Sequence, residues 1–184
     1  ADWKLINKAS PGNFETFDEL LPTTEQMKES NIVMAIWLAT SEKGGDLLGV
    51  SFINSTLRTI RVCEFEDNEG LNNLESMIVQ AGARECLYSS QNKSTQKLEA
   101  VLERCNIPFQ KRRLTDFKLD NIDQDLGRLL GDVQTALAEI EMKNAMRATS
   151  CLISFLELLN DETNFGAYKL SKFHLQQYMR LDVA

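Results

Sequence analysis

The chain has 184 residues, 43% of them hydrophobic, with 27 acidic side chains against 20 basic ones and a formal net charge of −7. That length and apolar content fit one folded domain and exclude a disordered chain. The charge has the wrong sign for stand-alone nucleic-acid binding, where affinity comes from Lys and Arg displacing counterions along the phosphate backbone.

Residues 10–30 read as a turn at Pro11-Gly12, a short amphipathic helix broken by Pro22, and a polar loop. The continuous apolar run from Ile32 to Ala39 predicts a central strand covered on both faces. Gly44-Gly45 supplies a turn, after which Leu48, Val50 and Phe52 alternate with the smaller Gly49 and Ser51, the pattern of a hairpin. A third strand, TIRVCEFE, follows through Leu57 and Arg58, giving three consecutive antiparallel strands. The period then changes. Asn72 and Glu75 have the spacing of a capping box, Leu74, Ile78 and Ala81 recur at helical intervals, and Gly82 closes the helix.

ECLYSS predicts a short strand, KSTQKLEAVLERCN a helix burying Leu98, Val101, Leu102 and Cys105, and PFQKRRL a last strand. Two β-α steps after a meander imply an α/β fold, a mixed sheet with helices on its faces. NIDQDLGRLL is a further short helix. From Asp132 to about Asn160 the sequence predicts one helix, ~42 Å long if unbroken, whose apolar CLISFLELL stretch must be clamped against something. The remaining residues are apolar without a period and read as extended chain leading out. The domain is thus assigned to residues 1–167 and the exit segment to 168–184. Because the chain begins ADWKL and stops at RLDVA, it is expected to be a piece of a longer protein.

Candidate chemistry is sparse. Cys63, Cys86, Cys105 and Cys151 form no Cys-x-x-Cys, and His174 is the one histidine, so zinc is not expected and four free thiols imply a reducing, intracellular setting. No glycine pattern cradles a phosphate, and no cofactor is expected. No apolar run is long enough to span a membrane. Lys111, Arg112 and Arg113, adjacent on a strand, cannot all point one way, and read as a solvated edge. Glu64, Glu66, Asp67 and Glu69 crowd the corner after the third strand. Glu64 and Glu66 share a face at about 7 Å, where two charges in water repel by only ~0.6 kcal/mol. The corner therefore reads as solvated, with Asp67 and Glu69 favourably placed before a helix start.

Several stretches together carry a resemblance: WKLINKASPGNFETFDELL, CEFEDNEGLNNLESMIVQAGARECL, NIDQDLGRLL, FLELLNDETNFGAYKLSKF and QYMRLDVA. In this order they resemble the second, or connector, domain of DNA mismatch repair proteins of the MutS family. The resemblance implies a ribonuclease-H-like fold without nuclease chemistry. Nucleases of that fold carry an essential aspartate on the first strand, and Ile32–Thr40 contains no acid. It also implies a noncatalytic module that links the mismatch-contacting domain to the lever of a nuclear ATPase, with ATP bound elsewhere in the parent. The full-length protein would pair with another MutS homologue and engage mismatched DNA.

The connector would offer a docking surface to MutL homologues. In bacterial relatives part of that surface is a short helix bearing Gln-Gln-Leu, which carries the role here to Gln124 and Asp125; from the basic cluster, Arg112 and Arg113 are further candidates for partner contact. Asp125 departs from the pattern by replacing an amide with an acceptor-only charge. Tyr178, Met179 and Leu181 match the exit toward the lever, and Asp182 suits the N-cap of a following helix. The alternatives are a ribonuclease-H-like domain with residual metal or nucleic-acid binding through Glu64 and Glu66, and an unrelated α/β scaffold.

Overall fold

A computed structural model describes residues 31–41, 44–89 and 95–174. The predicted elements within residues 10–30 and the exit residues Tyr178, Met179, Leu181 and Asp182 lie outside the described residues.

β1 (Ile32–Thr40), β2 (Asp46–Asn54) and β3 (Thr59–Asp67) form the expected antiparallel meander. β4 (Glu85–Tyr88) then crosses to the other side of β1 and pairs with it in parallel, and β5 (Phe109–Lys111) adds to β4, again in parallel. A sixth strand, β6 (Lys169–Lys172), pairs in parallel with β3, so the order is β5-β4-β1-β2-β3-β6. Read from the sequence, residues 168–184 leave the domain, yet Lys169–Lys172 are part of the sheet. Leu170 is buried, and Phe173 stacks on Phe52 with ring centroids 5.0 Å apart. A strand of four residues alternating Lys, Leu, Ser and Lys buries one side chain, too few to show a period.

The sheet is covered on both faces, as the apolar character of β1 requires. Met34, Ile36, Leu48, Val50 and Phe52 face α1 (Asn72–Ala81) and α2 (Thr95–Arg104), which contribute Leu74, Ile78, Leu98 and Leu102. On the opposite face, Val33, Ala35, Ile53, Ile60 and Val62 meet α3 (Ile122–Leu129) and the helix that follows. This is the mixed sheet with helices on its faces that the order of the elements implied.

The long helix expected over Asp132–Asn160 is broken. The structure has a 3-10 turn at Gln134–Ala136, a single helical turn α4 (Leu137–Ile140), the helix α5 (Lys143–Phe155) and a second 3-10 turn at Leu158–Asn160. The upstream break has a tertiary cause. Glu64 Oε2 accepts the backbone N–H groups of Asn144 at 2.9 Å and Ala145 at 3.4 Å, while Oε1 accepts from Asn144 Nδ2 at 3.0 Å. A carboxylate from β3 thus satisfies orphan donors of a helix remote in sequence and starts it there. Gly49 allows the approach: a Cβ at that position would lie 2.1 Å from the Asn144 carbonyl carbon. Ser51, next along the same face, is hydrogen-bonded to Thr149 at 2.9 Å. The small side of the hairpin is therefore the bed of α5.

The CLISFLELL stretch is clamped as expected, with Cys151, Leu152, Ile153, Leu156 and Leu158 in the core. The downstream break falls at Glu157, whose φ of 51° is left-handed and ends the helix. Among the described residues no helix is long and apolar enough to cross a membrane.

Candidate protein-docking surface

The four carboxylates of the β3–α1 corner do not converge. Glu64 is committed to α5. Asp67 accepts from Asn73 N at 3.3 Å through Oδ1 and from Leu74 N at 2.8 Å through Oδ2, and so caps α1. Glu66 and Glu69 are exposed. The solvated corner expected from the sequence holds for Glu66 and Glu69, and Asp67 stands at the helix start as expected and caps it; Glu64 departs from the expectation, because it holds α5. The capping box also moves. Asn72 is the first residue of α1, its N–H is accepted by Asn68 Oδ1 at 3.3 Å, and Glu75 turns away to pair with Arg104 at 2.7 Å. Asp67 and Asn68 do the capping because Leu71, with φ 52°, kinks the chain and brings both beneath the helix end.

The basic cluster at the end of β5 splits as a strand should. Lys111 and Arg113 are exposed, while Arg112 turns inward, its Nε 3.1 Å from Asp116 Oδ2 and its guanidinium 5.5 Å from the Phe155 ring centroid. Arg113 reaches the same carboxylate more loosely, at 3.8 Å. β5 is an edge strand, so Lys111 and Arg113 border the sheet as expected. Beneath Arg112 lies the buried Cys151, whose thiol is pushed up to about 12 by burial, against the pull of the guanidinium.

A 3-10 turn, Leu114–Phe117, leads from β5 to α3. Its fully buried Phe117 sits 5.4 Å from the Trp37 ring, and Arg147 covers Trp37 at 5.0 Å while donating to the Phe117 carbonyl at 3.3 Å. The turn is fixed by these contacts, and with it the start of α3. Ile122, Leu126 and Leu129 of that helix are buried, Gln124 is exposed, and Asp125 is half-buried. Burial raises the Asp125 carboxyl above the usual carboxylate range, with Arg128 pulling weakly the other way.

Between this segment and the C-terminal half of α5 lies a groove of about 580 Å³. Asp116, Asp120 and Asp125 line one wall, Ser154 and Glu157 the other, and Ile153 and Leu159 contribute apolar surface. Of the residues singled out in the sequence, Asp125 lines the groove directly. Arg112 and Arg113 join it through Asp116, and Gln124 stands beside it on the outer face of α3. Asp116, Asp120 and Glu157 carry no signal in the sequence, because the two walls lie far apart along the chain and meet only once α5 is seated on the sheet. Among the described residues no group of three or more His, Cys, Asp or Glu is placed to hold a metal ion.

Comparison with known proteins gives a consistent assignment. The family model described as MutS domain II matches residues 31–169. The DNA mismatch repair protein Msh2 of Dictyostelium discoideum is 41% identical over 98% of this chain and 19% of its own length. MSH2 of Saccharomyces cerevisiae is 34% identical over 99% of this chain and 20% of its length, and MSH2 of Zea mays is 32% identical over all of it, again against 20%. The chain therefore spans about a fifth of the length of the curated relatives it matches. Among solved structures, the nuclease domain of the large terminase subunit gp2 of bacterial virus Sf6 aligns over 76% of this chain and 63% of its own, with 13% identity and a TM-score of 0.39. A likeness that distant adds nothing to the functional assignment.

Proposed function

The chain belongs to the MutS domain II family, and on that premise we propose that it is the noncatalytic connector of a nuclear DNA mismatch repair ATPase, joining the mismatch-contacting domain to the lever. Its principal interaction is with a MutL homologue, docked on the outer face of α3 around Gln124 and Asp125. ATP hydrolysis, mismatch contact and pairing with a second MutS homologue belong to the parent protein. The chain beyond Phe173, with Tyr178, Met179, Leu181 and Asp182, serves as the exit toward the lever.

The observation that carries the docking reading is the orientation of α3. Its apolar side chains are spent on the core, and the turn before it is pinned by Phe117, so Gln124 is held outward on a rigid support. A polar side chain presented in this way can contribute to recognition at little ordering cost on binding. The Glu64 and Asp67 carboxylates support the noncatalytic side of the proposal, since each is engaged in holding a helix.

The test is recruitment of a MutL homologue by the full-length heterodimer, with and without ATP. Gln124→Ala combined with Asp125→Arg should reduce ATP-dependent recruitment while leaving mismatch binding intact. Unchanged recruitment would remove the docking role from this helix.

A further inference from the structure

The groove beside α3 has a charge pattern that narrows what it can receive. Asp116 is neutralised by Arg112, and Asp120 lies 4.0 Å from Lys118. Asp125 and Glu157, on opposite walls, take part in none of the ion pairs among the described residues, and Glu157 Oε2 accepts only a long, uncharged hydrogen bond from Asn160 Nδ2 at 3.3 Å. Both carboxylates flank apolar surface supplied by Ile153 and Leu159. Asp125 is half-buried although no cation within ion-pair distance offsets its desolvation, a cost that a fold-only role does not require.

From this arrangement, and resting on the docking role proposed above, we infer that the groove receives a basic, extended segment of the MutL homologue, with Lys or Arg side chains set against Asp125 and Glu157 and an apolar side chain between them over Ile153 and Leu159. A phosphate backbone is the wrong occupant, since both free charges would repel it. A single metal ion is also the wrong occupant. The acids stand on separate walls and do not converge, whereas a cation requires several ligands on one point. Charges spread along a groove with apolar surface between them match a polypeptide of complementary pattern, and such pairs contribute most to association rate and specificity.

The experiment measures affinity of the full-length heterodimer for a MutL homologue in the presence of ATP, at low and physiological salt. Asp125→Asn and Glu157→Gln keep shape and remove charge, so folding is preserved, as circular dichroism and thermal melting of each variant should verify. Each is expected to weaken binding by roughly threefold to tenfold, and the double variant should also show a shallower salt dependence. Asp123→Asn, which removes an exposed acid of the same helix outside the groove, should have no comparable effect. Loss of binding in Gln124→Ala without loss in the two groove variants would overturn the basic-segment inference and leave the docking role standing. No loss in any of the three would overturn both. Equal losses in Asp123→Asn and the groove variants would mean a diffuse field and would also overturn it.

Discussion

Glu64 and Gly49 act as a pair: the glycine opens the space into which α5 descends, and the carboxylate fixes where that helix begins. Gly49→Ala places a methyl group on the Asn144 backbone, which no rotamer change can relieve. It is expected to cost about 3 kcal/mol or more, read as a lowered denaturation midpoint with unchanged slope. Glu64→Ala removes acceptors from two backbone N–H groups and is expected to cost about 1–2 kcal/mol, as the loss of a helix cap does. The cysteines make a second residue-scale prediction. Burial pushes the Cys63 and Cys151 thiols up to about 12 and raises the fully buried Cys86 well above the ordinary thiol range, while Cys105, also raised by burial, is half-exposed. Because the thiolate is the reactive form, a native-state alkylation time course should modify Cys105 first and the other three only on unfolding. Early modification of Cys151 would contradict the packing beneath Arg112.

At the scale of elements, the α5 terminus and α3 each hold a groove acid whose place costs stability. Glu157 closes α5 in a left-handed conformation that costs a non-glycine residue about 1–2 kcal/mol. Glu157→Gly should therefore raise stability by about 1 kcal/mol, while removing one of the groove's two free charges. For Asp125 the sign follows from its raised carboxyl. The folded state binds the proton more tightly than the unfolded chain, so the group lowers stability as pH rises through the carboxylate range and keeps it lowered above that. Asp125→Asn should accordingly raise Tm at neutral pH, and the gain should disappear below about pH 3, where both states are protonated. A Tm difference that grows on acidification would contradict this.

The elements that local pattern decides were legible in the sequence. The apolar run of β1, the small and large sides of β2, the helical repeat of α1 and the apolar face of α3 each state their own period. What tertiary contact decides was not. The helix over residues 132–160 reads as continuous because its residues are good helix formers, and it breaks where Glu64, about eighty positions earlier, claims the N–H groups of Asn144 and Ala145. β6 is too short to show alternation, and its place at the sheet edge depends on β3. The candidate site divides along the same line: Gln124 and Asp125 could be named from a family pattern, whereas Glu157 became a neighbour of Asp125 only when α5 was seated.

For the whole molecule, the arrangement is a sheet with two unlike faces. One face is closed by α1 and α2; the other carries α5, on which α3 and the groove are built. The docking account places the MutL homologue on the second side alone, and this asymmetry can be measured. A photo-crosslinker placed at Gln124 in the full-length heterodimer is compared with one at Val79, which is 71% exposed on α1 and lies on the opposite side of the sheet. With ATP and mismatched DNA, the account predicts a crosslink to the MutL homologue from position 124 and none from position 79. Crosslinking from Val79 alone, or from neither position while the two proteins remain bound, would contradict it.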